Sequence, residues 1–101
     1  MSMTVLLEVQ LRSDVSSETT EAAIRETLAQ TGAFAGNESL EVLVDDADST
    51  RVVVVERWAS AADHGAYVTW RATPEGAAAA LAAVITGPPV TRTFDRTITL
   101  A

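Results

Sequence analysis

One hundred and one residues, 48% of them hydrophobic, suffice for one folded core and leave no room for a second domain, and no apolar run reaches the roughly 18 to 20 residues that a membrane-crossing helix needs. Fourteen acidic against seven basic residues give a net charge of −7, and the basic ones form no stripe, so a nucleic-acid partner is not expected. The chain has no cysteine, which removes disulfides, thiolate metal sites, iron–sulfur clusters and a thiol nucleophile together.

The opening MSMTVLLEVQLR lacks a basic n-region and a small-residue cleavage site, and a cytoplasmic location is the expectation. From Thr4 to Arg12, Val5, Leu7, Val9 and Leu11 alternate with Leu6, Glu8, Gln10 and Arg12, which predicts a half-buried strand. Ser13 and Asp14 break it. A helix starts in the Ser/Thr/Glu-rich run Ser16 to Glu21, where acidic side chains suit the positive end of the helix dipole. It continues through Ile24, Leu28, Thr31 and Ala35 at three- and four-residue spacing, and Gly32 and Gly36 mark its end.

Glu38 to Asp46 is a second strand, with Leu40, Val42 and Val44 inward. The turn-forming DDADST then predicts an antiparallel hairpin with Arg51 to Trp58. Four consecutive valines, Val52 to Val55, make that third strand apolar on both faces and place it at the centre of a sheet. A helix follows at once, with Ser60 as N-cap and Asp63 as its capping partner. Thr73, Pro74 and Glu75 restart a helix over the alanine-rich Gly76 to Thr86, which Gly87-Pro88-Pro89 stops. Val90 to Leu100 alternates as an eleven-residue final strand.

The order predicts an α+β fold, the ferredoxin-like βαββαβ plan with an antiparallel sheet in which the first and third strands are central. Helices cover one face of such a sheet. Val53 and Val55 on the other face need a cover, and a second copy of the chain in a face-to-face homodimer supplies one.

Candidate chemistry clusters where the valine strand hands over to its helix, since three of the chain's five aromatics and its one histidine lie there. His64 is the side chain that titrates near neutrality and suits a general base. His64, Tyr67, Val68 and Arg71 share a helical stripe, so imidazole, phenol and guanidinium can converge, with Tyr67 donating a hydrogen bond and Arg71 stabilising an oxyanion. Trp58 shares its strand face with Val52, Val54 and Glu56, which fits core packing and ligand contact alike. Trp70 lies off the stripe, Asn37 follows Gly36 in a turn or caps a cavity mouth, and Phe34 is a candidate apolar wall. Asp45, Asp46 and Asp48 lack the glycine and closing glutamate of a calcium loop. No metal, nucleotide or other cofactor motif is present, and no GxSxG or triad pattern appears.

The stretch VVVVERWASAADH, with the βαββαβ order and the Gly36-Asn37 step, resembles the antibiotic biosynthesis monooxygenase family of dimeric α/β barrels over nearly the whole length. The resemblance implies a single domain over residues 1–101 that oxygenates a small aromatic or polycyclic phenol, anthrone or quinol with dioxygen, without metal or flavin. It places Trp58 as the group that orients substrate and His64 where anthrone-oxygenating relatives carry a tyrosine. Their asparagine, four residues before the tryptophan, is Val54 here, which has no hydrogen bond to give. Val68 stands where haem-degrading relatives carry their histidine ligand, so haem is not expected. His64, Trp58, Tyr67 and Arg71 are thus the expected catalytic residues, and Asn37, Phe34 and Trp70 the expected substrate contacts. A polyketide cyclase or isomerase using the same base, and a dimeric ligand-binding module without chemistry, are the alternatives on this scaffold.

Overall fold

In a computed structural model, which describes residues 2–101, the chain runs β1 (Met3–Gln10), α1 (Ser17–Ala33), β2 (Asn37–Val44), β3 (Arg51–Trp58), α2 (Ala61–Arg71), α3 (Ala79–Ala82) and β4 (Val90–Phe94). The strands form one antiparallel sheet in the order β2-β3-β1-β4, with β3 and β1 central as expected. In β3, Val52, Val54, Glu56 and Trp58 are buried beneath the helices, while Val53 and Val55 are half-buried on the open face. Val5 and Val9 of β1 complete the covered face. Each buried valine contributes roughly 1.5–3 kcal/mol relative to an exposed one, which makes this face the main source of stability.

Both long helices begin at serine caps. Ser16 Oγ accepts from the Thr19 amide at 3.2 Å and Ser60 Oγ from the Asp63 amide at 3.1 Å. Ala33 ends α1, and two residues beyond its cap Phe34, Gly36 takes φ +92°. A side chain there would collide with Asp63, so glycine lets the start of β2 pass close over the first turn of α2.

The expected sheet-facing stripe of α1 is shifted. Thr20, Thr27 and Thr31 are buried, Ile24 and Leu28 are half-buried and Ala35 is exposed. Hydrogen bonds fix this phase, because Tyr67 and Arg71 of α2 reach across to Thr31 and to the Thr27 carbonyl.

The helix expected over residues 76–86 shrinks to Ala79–Ala82. Gly76 sits against the Trp70 carbonyl with no space for a side chain, and the Thr73 hydroxyl donates to that carbonyl while accepting from the Gly76 amide. Residues 84–86 are drawn to the end of β1 by the Arg12 amide on the Val84 carbonyl, the Thr86 amide on the Gln10 carbonyl and the Leu11–Ile85 bridge. The final strand is also shorter than its alternation suggests. Phe94 pairs with Thr4, one residue from the start of β1, so residues 95–101 have no neighbouring strand and are exposed. On edge strand β2, Val44 is expected inward and is exposed, since it lines the cleft between that strand and α1.

Candidate active site

β3 delivers Glu56 and Trp58 to the helix-covered face, and α2, entered through the Ser60 cap, brings His64, Tyr67 and Arg71 over them. The Trp58 indole is fully buried at 0% exposure. His64 lies 5.5 Å from it between ring centroids, and Tyr67 lies 4.9 Å away. Phe34, at the end of α1, packs edge-on against Trp58 at 6.3 Å and Tyr67 at 5.4 Å, and Trp70 closes the group at 5.5 Å from Phe34. Imidazole and indole therefore share one environment, and Trp70 belongs to the same cluster although its position is off the helical stripe.

The polar atoms of this cluster are tied to one another. The Trp58 Nε1–H donates to Glu56 Oε1 at 2.9 Å. Glu56 itself is only 3% exposed. Burial pushes its carboxyl above the ordinary range, while the indole hydrogen bond and the charges of His64 and Arg71 pull it part of the way back. No cation lies within ion-pair distance of Glu56 among the described residues, so this buried acid is held by a neutral donor.

Arg71 engages all five of its N–H groups. Nε donates to the Tyr67 hydroxyl at 2.7 Å, one terminal nitrogen to Gln30 Oε1 and the Gly76 carbonyl, and the other to the Thr27 carbonyl and Thr31 Oγ1. Its guanidinium also lies 4.9 Å from the Trp70 ring centre. Tyr67 accepts from Arg71 and so donates to Thr31 Oγ1 at 2.8 Å, and Thr31 passes its proton to the Thr27 carbonyl. In this arrangement Tyr67 and Arg71 lock α2 to α1. They present no free donor.

Asn37 stands across from Trp58 in the β2–β3 register. Its Nδ2 is buried and has no hydrogen-bond partner among the described residues. A buried amide left unpaired costs about 1–3 kcal/mol, so this donor calls for a ligand or water. Glu56 is the residue that sequence reasoning passed over. The signal was present, because a carboxylate at an inward position of a strand apolar on both faces must be either paired or neutral.

Two clefts open elsewhere on the molecule, and neither is lined by this cluster. Among the described residues no group of three or more His, Asp or Glu side chains is placed to hold a metal ion, and no helix is long and apolar enough to cross a membrane.

The four-stranded sheet with helices on one face, bearing a strand-end tryptophan beneath a histidine-carrying helix, defines a ferredoxin-like α+β protein with a candidate site between sheet and helices. The chain belongs to the antibiotic biosynthesis monooxygenase family, whose model matches residues 2–80. SnoaB, a cofactor-independent oxygenase from Streptomyces nogalater, is similar with a TM-score of 0.79 at 18% identity, over 98% of this chain and 96% of that one. Rv0793 from Mycobacterium tuberculosis gives 0.75 at 17% identity over 100% of both chains. A conserved protein from Methanosarcina mazei Go1 gives 0.77 at 8% identity, over 96% of this chain and 94% of the other. At such identities the likeness is one of fold. No curated protein matches this chain in sequence.

Proposed function

We propose that the protein is a cofactor-independent monooxygenase acting on a small aromatic phenol, anthrone or quinol, and that it works as a homodimer. The observation that carries this is the packing of the His64 imidazole, tilted by 56° at 5.5 Å, against a buried indole whose N–H is anchored on Glu56. A base held at a ring surface suits removal of a proton from an acidic carbon or hydroxyl of a flat substrate. Family membership supports the same chemistry.

An anthrone-like methylene would be converted to a carbonyl with one dioxygen consumed and one water released. His64 takes one C–H proton, and the resulting carbanion passes an electron to dioxygen. The two radicals join as a C–O bond, and the peroxide is protonated by the imidazolium. Loss of the second C–H proton breaks the O–O bond, leaving a carbonyl on carbon and one water. The unpaired Asn37 amide is the donor for the developing oxyanion, replacing the one that Val54 cannot provide. Trp58 presents its ring and, with its N–H engaged, orients through stacking. Phe34 and Trp70, both half-buried, are the outer wall that substrate meets and displaces. Tyr67 and Arg71 act as positioning residues through their hold on α1.

The dimer rests on the open sheet face. Leu6, Val53 and Val55 are half-buried there, and Leu43, Val90 and Phe94 are exposed beside them. Leu6, Val53, Val55 and Leu43 form an apolar centre bordered by Glu8, Glu41, Arg57 and Arg92, and a second copy would cover that centre while pairing charges at its rim. Sedimentation at micromolar concentration should give twice the chain mass of 10.6 kDa, and a monomer would remove this part of the proposal.

The test of the activity is oxygen uptake with anthrone and hydroquinone. One dioxygen consumed per anthrone, with a quinone product, is the expected result. Product formed without oxygen uptake would make the protein a cyclase or isomerase, and no turnover at all would leave a binding module.

A further inference from the structure

The covered face of the sheet has a second end. Val52 lies six residues before Trp58 on β3, about 20 Å away at a strand rise of ~3.3 Å per residue. There the first turn of α1 turns Thr20 toward the sheet, and one turn on Ile24 packs against the cluster of Val9, Leu11 and Val52. A cleft of about 590 Å³ opens beside them, lined by Leu11, Val15, Thr20, Ile24, Val42 and Val52.

We propose that this cleft is a binding site for a small, flat, uncharged ring compound bearing one hydroxyl or carbonyl group. Its volume falls in the range of about 300–1,000 Å³ typical of small-molecule sites. Thr20 supplies the polar handle. The residue is 5% exposed and lines the cleft. A helix on one side and a sheet on the other leave a slot, which suits a ring more than a branched chain.

The charges at the mouth explain why the ligand is neutral. Arg12 is held by Asp14 through two hydrogen bonds at 2.9 and 2.7 Å, and Arg25 by Glu21 at 3.0 Å. Each guanidinium is thus partnered by an acid at the exposed rim, and the net charge of −7 disfavours anions. This site is separate from the Trp58 cluster and does not depend on the oxygenase proposal.

Amide NMR on the full-length protein tests it, with 1-naphthol, naphthalene and 1-naphthoate as probes. Naphthol should give saturable shifts at Thr20, Ile24, Val42 and Val52, and should bind more tightly than naphthoate. Thr20→Val should weaken naphthol about three- to tenfold, the worth of one hydrogen bond, and leave naphthalene unchanged. Val15→Trp, a loop change at the mouth, should abolish binding of both. Shifts confined to Phe34, Trp58 and His64, naphthoate binding more tightly than naphthol, or naphthol binding indifferent to Val15→Trp would each overturn the proposal.

Discussion

The two ends of one sheet face are built from opposite choices of side chain. At the Trp58 end five rings interlock, and a guanidinium with every donor engaged ties α2 to α1. At the Val52 end α1 offers Thr20 and Ile24 to the sheet valines, and a cleft opens between them. The filled end holds the titratable groups and the empty end holds the space. Burial in the first raises the Glu56 carboxyl, whereas at the second every charged group flanking the cleft is screened by water. Desolvated titratable groups on this scaffold thus gather where the covering helix is aromatic, and open space where its side chains are short.

The comparison breaks most visibly at Arg71. Replacing it by alanine removes five hydrogen bonds and leaves the buried Thr31 and Tyr67 hydroxyls short of a partner, which should cost roughly 2–4 kcal/mol in urea unfolding. Arg71→Lys should recover less than half, since an ammonium cannot reach three elements in one plane. An Arg71→Ala loss below about 1 kcal/mol would mean that the ring cluster alone holds the packed end.

Glu56→Gln sharpens the comparison through pH. The folded protein binds the Glu56 proton more tightly than the unfolded chain, so protonation favours folding. That contribution is complete below the ordinary value of 4.5 and is lost as pH rises through the elevated folded value. Wild type should therefore lose melting temperature relative to Glu56→Gln as pH rises from 4.5 toward neutrality. Parallel curves would show that the carboxyl is hydrated, and the account of a desolvated end would fail.

The smallest effect separates the two helix starts. Ser60→Ala and Ser16→Ala each remove a cap worth about 1 kcal/mol. At the packed end the loss should appear in global stability. Over the open cleft, where α1 is held loosely, it should appear mainly as faster amide exchange near Thr19 and Thr20. Equal global losses would place both helix starts in the same cooperative unit.

The same contrast sorts what the sequence made legible. The span of β3 and the Ser60 cap followed from local chemistry, a run of β-branched residues and a serine before an acidic turn, and both are found at the expected residues. The meeting of His64 with Trp58 also followed, since strand and helix adjoin without a loop. Thr31 was legible on the stripe of α1, but the burial of Thr20 and Thr27 was not, because threonine counts as polar in a periodicity and only contacts across α2 fix the helix phase. Alternation past Phe94 overstated the last strand, since strand length depends on where the partner strand begins. Glu56 was visible and unused. Its inward position was legible, but its hydrogen bond to the next inward side chain on the same strand was not.

The claim that most depends on all this is that the His64 imidazole beside Trp58 does chemistry and is not merely packed. Turnover and melting temperature of His64→Ala, measured side by side, test it directly. Oxygen uptake should fall by about a hundredfold or more, as loss of a general base requires, while the melting temperature stays within a few degrees of wild type. Unchanged turnover, or a collapse of stability that accounts for the lost activity, would contradict the account.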